Sequence, residues 1–146
     1  MEITTNRLII VPCKEELLSD DVDVSDHINF YLHEIESDPS LIGWGVWLVF
    51  LKETNQFIGD IGFKGKPHNG VVEIGYGILN EAQNNGYATE AMEALIHWAF
   101  QTKEVVTITA ECLSDNKPSI RVLEKLAMLK TDEDEEMMYW ERNLEH

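Results

Sequence analysis

The stretch VEIGYGILNEAQNNGYATEAMEAL, running from Val72 to Leu95, decides the fold. It opens inside a β-rich run, Val71–Leu79, then passes through Gln83-Asn84-Asn85-Gly86-Tyr87-Ala88 into a helical pattern. From Thr89 to Thr102 the apolar residues Ala91, Met92, Leu95, Ile96, Ala99 and Phe100 fall on one stripe of a 3.6-residue period. A strand, a polar turn and an amphipathic helix in that order predict the first two elements of a β-α-β unit. The β-branched run Val105–Cys112 (VVTITAEC) supplies the second strand.

The turn in this unit has the chemistry of an anion site. The first N–H groups of a helix have no intrahelical partner, and the helix dipole favours negative charge beside them. Gly86 lets the backbone approach a ligand closely, and Ala88 is small for the same reason. A diphosphate is the natural guest.

Upstream, Arg7–Val11 (RLIIV) reads as a strand stopped by Pro12. Lys14–Ser19 and Asp26–Glu36 read as short helices, with Ile28, Leu32 and Ile35 at helical spacing and Pro39 closing the region. Trp44–Lys52 and Phe57–Lys64 form a hairpin across Glu53–Gln56, and Lys66–Gly70 turns into Val71. Downstream, a helix is expected from about Pro118 to Leu126, with Asp115 or Asn116 as its cap. Leu129-Lys130 and Met137–Asn143 form a closing antiparallel pair around an acidic loop, Asp132–Glu136. The sum is an α+β fold: a mixed, mostly antiparallel central sheet with helices on both faces and one parallel crossover.

With 146 residues the expected organisation is a single domain over 1–143, with 144–146 read as an expression-tag remnant. The formal net charge of −16 argues against nucleic acid as a direct partner and suits a cationic substrate. No apolar run approaches membrane-span length and no secretory signal opens the chain, so a cytoplasmic protein is expected. Cys13 and Cys112 stand apart as two buried thiols. Neither they nor His27, His33, His68 and His97 have metal-ligand spacing, so no metal is expected.

The segment around Gln83–Ala88 resembles the GNAT superfamily of N-acetyltransferases, whose signature is [Q/R]-x-x-G-x-[G/A] between a strand and a helix. The likeness extends to Thr4–Pro12 (TTNRLIIVP), Ile58–Gly62 (IGDIG), Glu73–Tyr76 (EIGY) and Asn116–Leu126 (NKPSIRVLEKL), the pattern of the RimJ/RimL-like branch. That resemblance implies acetyl-CoA as co-substrate. Its pantetheine arm would pair with the backbone of Ile78 and Leu79, and its pyrophosphate would sit on the amides of Asn84, Asn85, Gly86, Tyr87 and Ala88, with Thr89 just inside the helix. Asn116 would hydrogen-bond the pantetheine.

By the same resemblance Glu73 is the expected base for the attacking amine and Ser119 the expected donor to the leaving thiolate. The tyrosine that many relatives carry four residues after that serine is Leu123 here, and their Gly-Phe after the helix is Ala127-Met128. Gln83 replaces an arginine in the signature, which throws the phosphate charge onto backbone amides, with Lys117 or Arg121 nearby. The expected acceptor is a primary amine, on a protein N-terminus or a small molecule, taken up largely by the segment between Ser19 and Ser40. Asp60 is expected in the cleft or on a sheet face, and Trp44, Trp47 and Tyr76 in the cleft or core. A homodimer is compatible with this reading. The alternative readings are a plain strand residue for Glu73 and a first-turn residue for Ser119. A non-catalytic acyl-CoA-binding sensor is the alternative to an enzyme.

Overall fold

A computed structural model describes residues 1–14, 26–78 and 86–144. The elements are β1 (Ile3–Thr4), β2 (Leu8–Pro12), α1 (Asp26–Ser37), a 3-10 turn (Pro39–Leu41), β3 (Val46–Leu51), β4 (Phe57–Phe63) and β5 (Val71–Ile78). After these come α2 (Tyr87–Gln101), β6 (Thr107–Leu113), α3 (Lys117–Lys125), β7 (Leu129–Glu133) and β8 (Met137–Asn143). The strands form one sheet in the order β1-β2-β3-β4-β5-β6-β8-β7. Every neighbouring pair is antiparallel except β5–β6, the pair bridged by α2.

Period-2 alternation sorts the side chains between two cores. On one face Leu8, Ile10, Trp47, Val49, Ile61, Val72 and Ile74 meet the α2 stripe of Ala91, Met92, Leu95, Ile96 and Ala99. Each large side chain fully buried there contributes roughly 1.5–3 kcal/mol. On the other face Leu48 and Cys13 pack against Ile28 and Tyr31 of α1. Helices on both faces and one parallel crossover are as the sequence predicts.

The differences are local. β1 is only two residues long and exists through its pairing with β2, so it leaves no periodic signal of its own. Pro12 does not stop β2 but ends it from within, opposite Trp47. The acidic run is not wholly a loop: Asp132 and Glu133 belong to β7, whose five residues are all exposed. Of the helix expected at Lys14–Ser19 only Lys14 is described, and it is not helical; the rest lies outside the described residues.

α3 explains one departure from the family pattern. Asn116 caps it, its Oδ1 accepting the Ser119 N–H at 3.2 Å. At the other end Ala127 N–H donates to the Glu124 carbonyl and Met128 N–H to that of Leu123, while Ala127 takes φ 60°. This is a Schellman closure, whose left-handed position usually falls to glycine. The alanine here keeps the geometry, and Met128 still plugs into the core.

Candidate active site

The site is built around a break in the sheet. β5 and β6 pair in register only at Val71–Thr107, Val72–Ile108 and Glu73–Thr109. Beyond that point β5 continues to Ile78 along β4, while β6 continues to Leu113 along β8. The two strands therefore separate, and the β6-facing edge of β5 past Glu73 is open to an extended ligand that pairs as a strand would. Ile78 ends this edge; Leu79, Asn84 and Asn85 lie outside the described residues.

Alternation places different groups on the two sides of this notch. Tyr76 faces α3, and its hydroxyl donates to the Ser119 carbonyl at 3.3 Å. Burial raises the Tyr76 phenol above its ordinary value, against a hydrogen bond with the Ser119 side chain that lowers it. Leu123, the position where relatives carry their tyrosine, is buried in the core. A phenol from β5 thus stands beside Ser119, which the sequence pattern does not reveal. Asn116, one turn away, spends its side-chain oxygen on the cap and retains its amide N–H groups.

Glu73 lies on the opposite side, with Gly75 and Gly77. Its Oε2 accepts from Lys64 Nζ at 2.7 Å, and its side chain is 34% exposed. Next to it a cleft of about 590 Å³ opens between α1 and the sheet. Gly75 and Gly77 keep its floor clear: a Cβ at Gly77 would meet nothing within 4 Å. Phe30, Tyr31 and Glu34 of α1 form one wall, with Trp44 and Phe63 also lining the cleft. Of the Ser19–Ser40 segment, the described part that lines this cleft is α1. Trp44 and Tyr76 line the cleft, whereas Trp47 is fully buried and donates its indole N–H to the Gly43 carbonyl at 2.8 Å.

Asp60 also lines this cleft, accepting from His27 Nε2 at 2.7 Å. Deeper in, burial and then the Asp60 charge push the Cys13 thiol up to about 11, which keeps it unreactive. Both cysteines are buried and free, as expected.

At the start of α2, Gly86 adopts φ 78° and no side chain caps the helix. Tyr87, Ala88 and Thr89 begin the first turn, so their amides lack intrahelical acceptors. Arg7 supplies a cation at this end. Arg7 lies over the Tyr87 ring at 4.5 Å, and its Nη2 is 3.4 Å from where a Gly86 Cβ would stand.

Arg7 Nε also donates to Glu90 at 2.6 Å, and the Thr5 hydroxyl donates to the same carboxylate at 2.6 Å. Burial pushes the Glu90 carboxyl up, but these bonds outweigh it and hold it below its ordinary 4.5. A depressed folded-state pKa contributes stability above the unfolded value that is lost as pH falls through the folded one. Glu90→Gln is therefore expected to cost on the order of 1 kcal/mol at pH 7, discounted because the Arg7 side chain is 41% exposed. In urea unfolding, the gap from wild type should close as the pH drops below 4.5.

Among the described residues no cluster of His, Cys, Asp and Glu could hold a metal ion, and no helix is long and apolar enough to cross a membrane.

Comparison with known proteins places this arrangement. The family model described as an acetyltransferase (GNAT) domain matches residues 14–129. Uncharacterized N-acetyltransferase YjdG of Bacillus subtilis (strain 168) is 31% identical over 119 residues, which cover 81% of this chain and 71% of that protein. The ribosomal-protein-serine acetyltransferase of Escherichia coli (strain K12) is 33% identical over 81 residues, 55% of this chain and 45% of that protein. A structure of RimL, a ribosomal L7/L12 alpha-N-protein acetyltransferase in complex with coenzyme A, superposes with a TM-score of 0.78 at 16% identity, covering 99% and 98% of the two chains. A strand-edge notch beside a glycine-opened helix, and a family match over most of its length, lead to one conclusion: this chain belongs to the acetyltransferase (GNAT) family and is an acetyl-CoA-dependent acetyltransferase.

Proposed function

We propose that the chain transfers the acetyl group of acetyl-CoA to a primary amine by direct attack in a ternary complex, with residues 1–143 acting as one domain. The observation that carries this reading is the end of β5–β6 pairing at Glu73–Thr109. It leaves a slot for a pantetheine arm, with Ser119 to one side and Glu73 to the other. The backbone of Ile78 and Leu79 would extend the pairing. The amides of Asn84 to Ala88, with Thr89, would take the pyrophosphate, aided by the Arg7 charge. Asn116 would reach the pantetheine through its amide N–H groups.

In this scheme Glu73, directly or through a water, accepts the proton that an amine of pKa near 10 must lose before it attacks. Ser119 donates to the departing thiolate. The acceptor occupies the α1 cleft, where Asp60 and Glu34 favour a cation. The E. coli relative is a ribosomal-protein-serine acetyltransferase, which favours a protein acceptor over a small amine. Two unpaired cysteines agree with a cytoplasmic setting.

Thiol release from acetyl-CoA, measured with peptides, polyamines and aminoglycosides as acceptors, tests the scheme and identifies the amine. Glu73→Gln should lower kcat/KM by about tenfold or more at pH 7. The loss should shrink near pH 10, where the amine is deprotonated without help. An unchanged pH–rate profile would return Glu73 to a structural role.

A further inference from the structure

Lys64 holds its ammonium against Glu73, the residue proposed above as base for the acceptor amine. It follows the last residue of β4, and its backbone N–H donates to the Glu73 carbonyl at 2.9 Å, which anchors it beside β5. The side chain then crosses β5, with Cε 3.7 Å from where a Cβ on Gly75 would lie. Its Nζ ends 2.7 Å from Glu73 on β5 and 3.9 Å from Glu111 on β6. Glu73 is the last β5 residue paired with β6, and Glu111 lies two residues beyond its partner Thr109. The ammonium therefore spans the mouth of the notch at the level where the strands part.

An ion pair with side chains 53% and 34% exposed contributes little to stability, so the fold does not require this contact. The other described lysines with ion pairs are held elsewhere: Lys66 by Asp38, and Lys130 by Glu133.

We propose that Lys64 is an acetylation site which the protein modifies itself, using the acetyl-CoA bound in its own notch. The inference rests on the placement of the thioester beside Glu73 given under the proposed function. Nζ gives one proton to the Glu73 carboxylate and attacks the thioester carbonyl carbon. The N–C bond forms, the C–S bond breaks, and CoA leaves as a thiolate that takes up the second proton of the attacking nitrogen, while Glu73 releases the first to solvent. Lys64 becomes a neutral acetamide. Glu73 and Glu111 then lose their shared cation, and the mouth of the notch becomes more acidic toward an incoming amine.

The test incubates the purified full chain with isotopically labelled acetyl-CoA and follows each lysine by peptide mass spectrometry. Calorimetric titration of the same sample measures acetyl-CoA binding. Lys64 should acquire label at least about tenfold faster than any other lysine, the lower end of what proximity and a positioned base supply. Glu73→Gln should slow that labelling by about tenfold or more, urea-unfolded chain should lose the preference, and Lys64→Arg should remove the fast phase. If acetyl-CoA binds but Lys64 labels no faster than its neighbours, or Glu73→Gln labels at the wild-type rate, self-acetylation is refuted and the acetyl-CoA site stands. If acetyl-CoA does not bind, the placement of the thioester falls and the proposal falls with it.

Discussion

Ser119→Ala should lower kcat by about 10- to 1000-fold, the span covered by loss of one general acid, and leave acetyl-CoA affinity nearly unchanged. The main-chain contacts of this residue do not depend on its hydroxyl. Its N–H donates to Asn116 and its carbonyl accepts from Tyr76, and both contacts survive in alanine. A thiol of pKa about 8.5 leaves as a moderately good thiolate even unassisted, so the effect should fall short of total loss. Turnover at saturating acetyl-CoA is to be compared with the dissociation constant. A collapse of affinity with intact turnover would make Ser119 a binding residue. If the loss of turnover instead follows Tyr76→Phe, the donor is the phenol that β5 brings to α3.

The second large effect concerns stability. Gly62→Ala should cost about 3 kcal/mol or more, through a Cβ that has nowhere to go. Gly62 lies in β4 between Val46 of β3 and Gly75 of β5. A Cβ there would run into the Gly45 carbonyl oxygen, a backbone atom that already accepts the Phe63 N–H at 3.1 Å. Gly45 cannot retreat, because its own missing side chain is the space filled by the Tyr31 ring. For a chain of this size the thermal midpoint should fall by roughly 10 °C. A midpoint within experimental error of wild type would show that β3 can shift without cost. Gly45 and Gly62 also line the α1 cleft proposed for the acceptor, so a weakened fold here should loosen substrate binding as well.

Most of the scaffold was legible because its signals are local. The stripe from Ala91 to Phe100 is a property of one helix, and the 3.6-residue period buries all of it but Phe100, which is partly buried. The alternation in β3 likewise assigns Trp47 and Val49 to one core and Leu48 to the other. What stayed hidden was every partnership made across the chain. Arg7 meets Glu90 over a separation of 83 residues, His27 meets Asp60 over 33, and Tyr76 meets Ser119 over 43. No periodicity encodes such pairs, because they depend on how the sheet twists its strands past one another. Glu73 and Ser119 could be named from a family pattern. That they stand on opposite sides of a break in the sheet, with Lys64 holding one of them, is a tertiary fact.

The acidic run at the end of the chain acquires a meaning from its position at the sheet's border. β7 is a border strand, exposed along its length, and such a strand offers unpaired backbone groups to any other chain that aligns with it. The five carboxylates of Asp132–Glu136 lie along this border and the turn that follows it. Two copies approaching border to border therefore bring like charges together before a single interchain hydrogen bond can form. Backbone N–H groups of Met137 and Glu136 hold the Asp134 carboxyl below its ordinary value, so part of this repulsion persists into acid. The opposite border, β1, is only two residues long and offers little template. The run is thus expected to oppose strand-to-strand polymerisation at the high concentrations of a crowded solution.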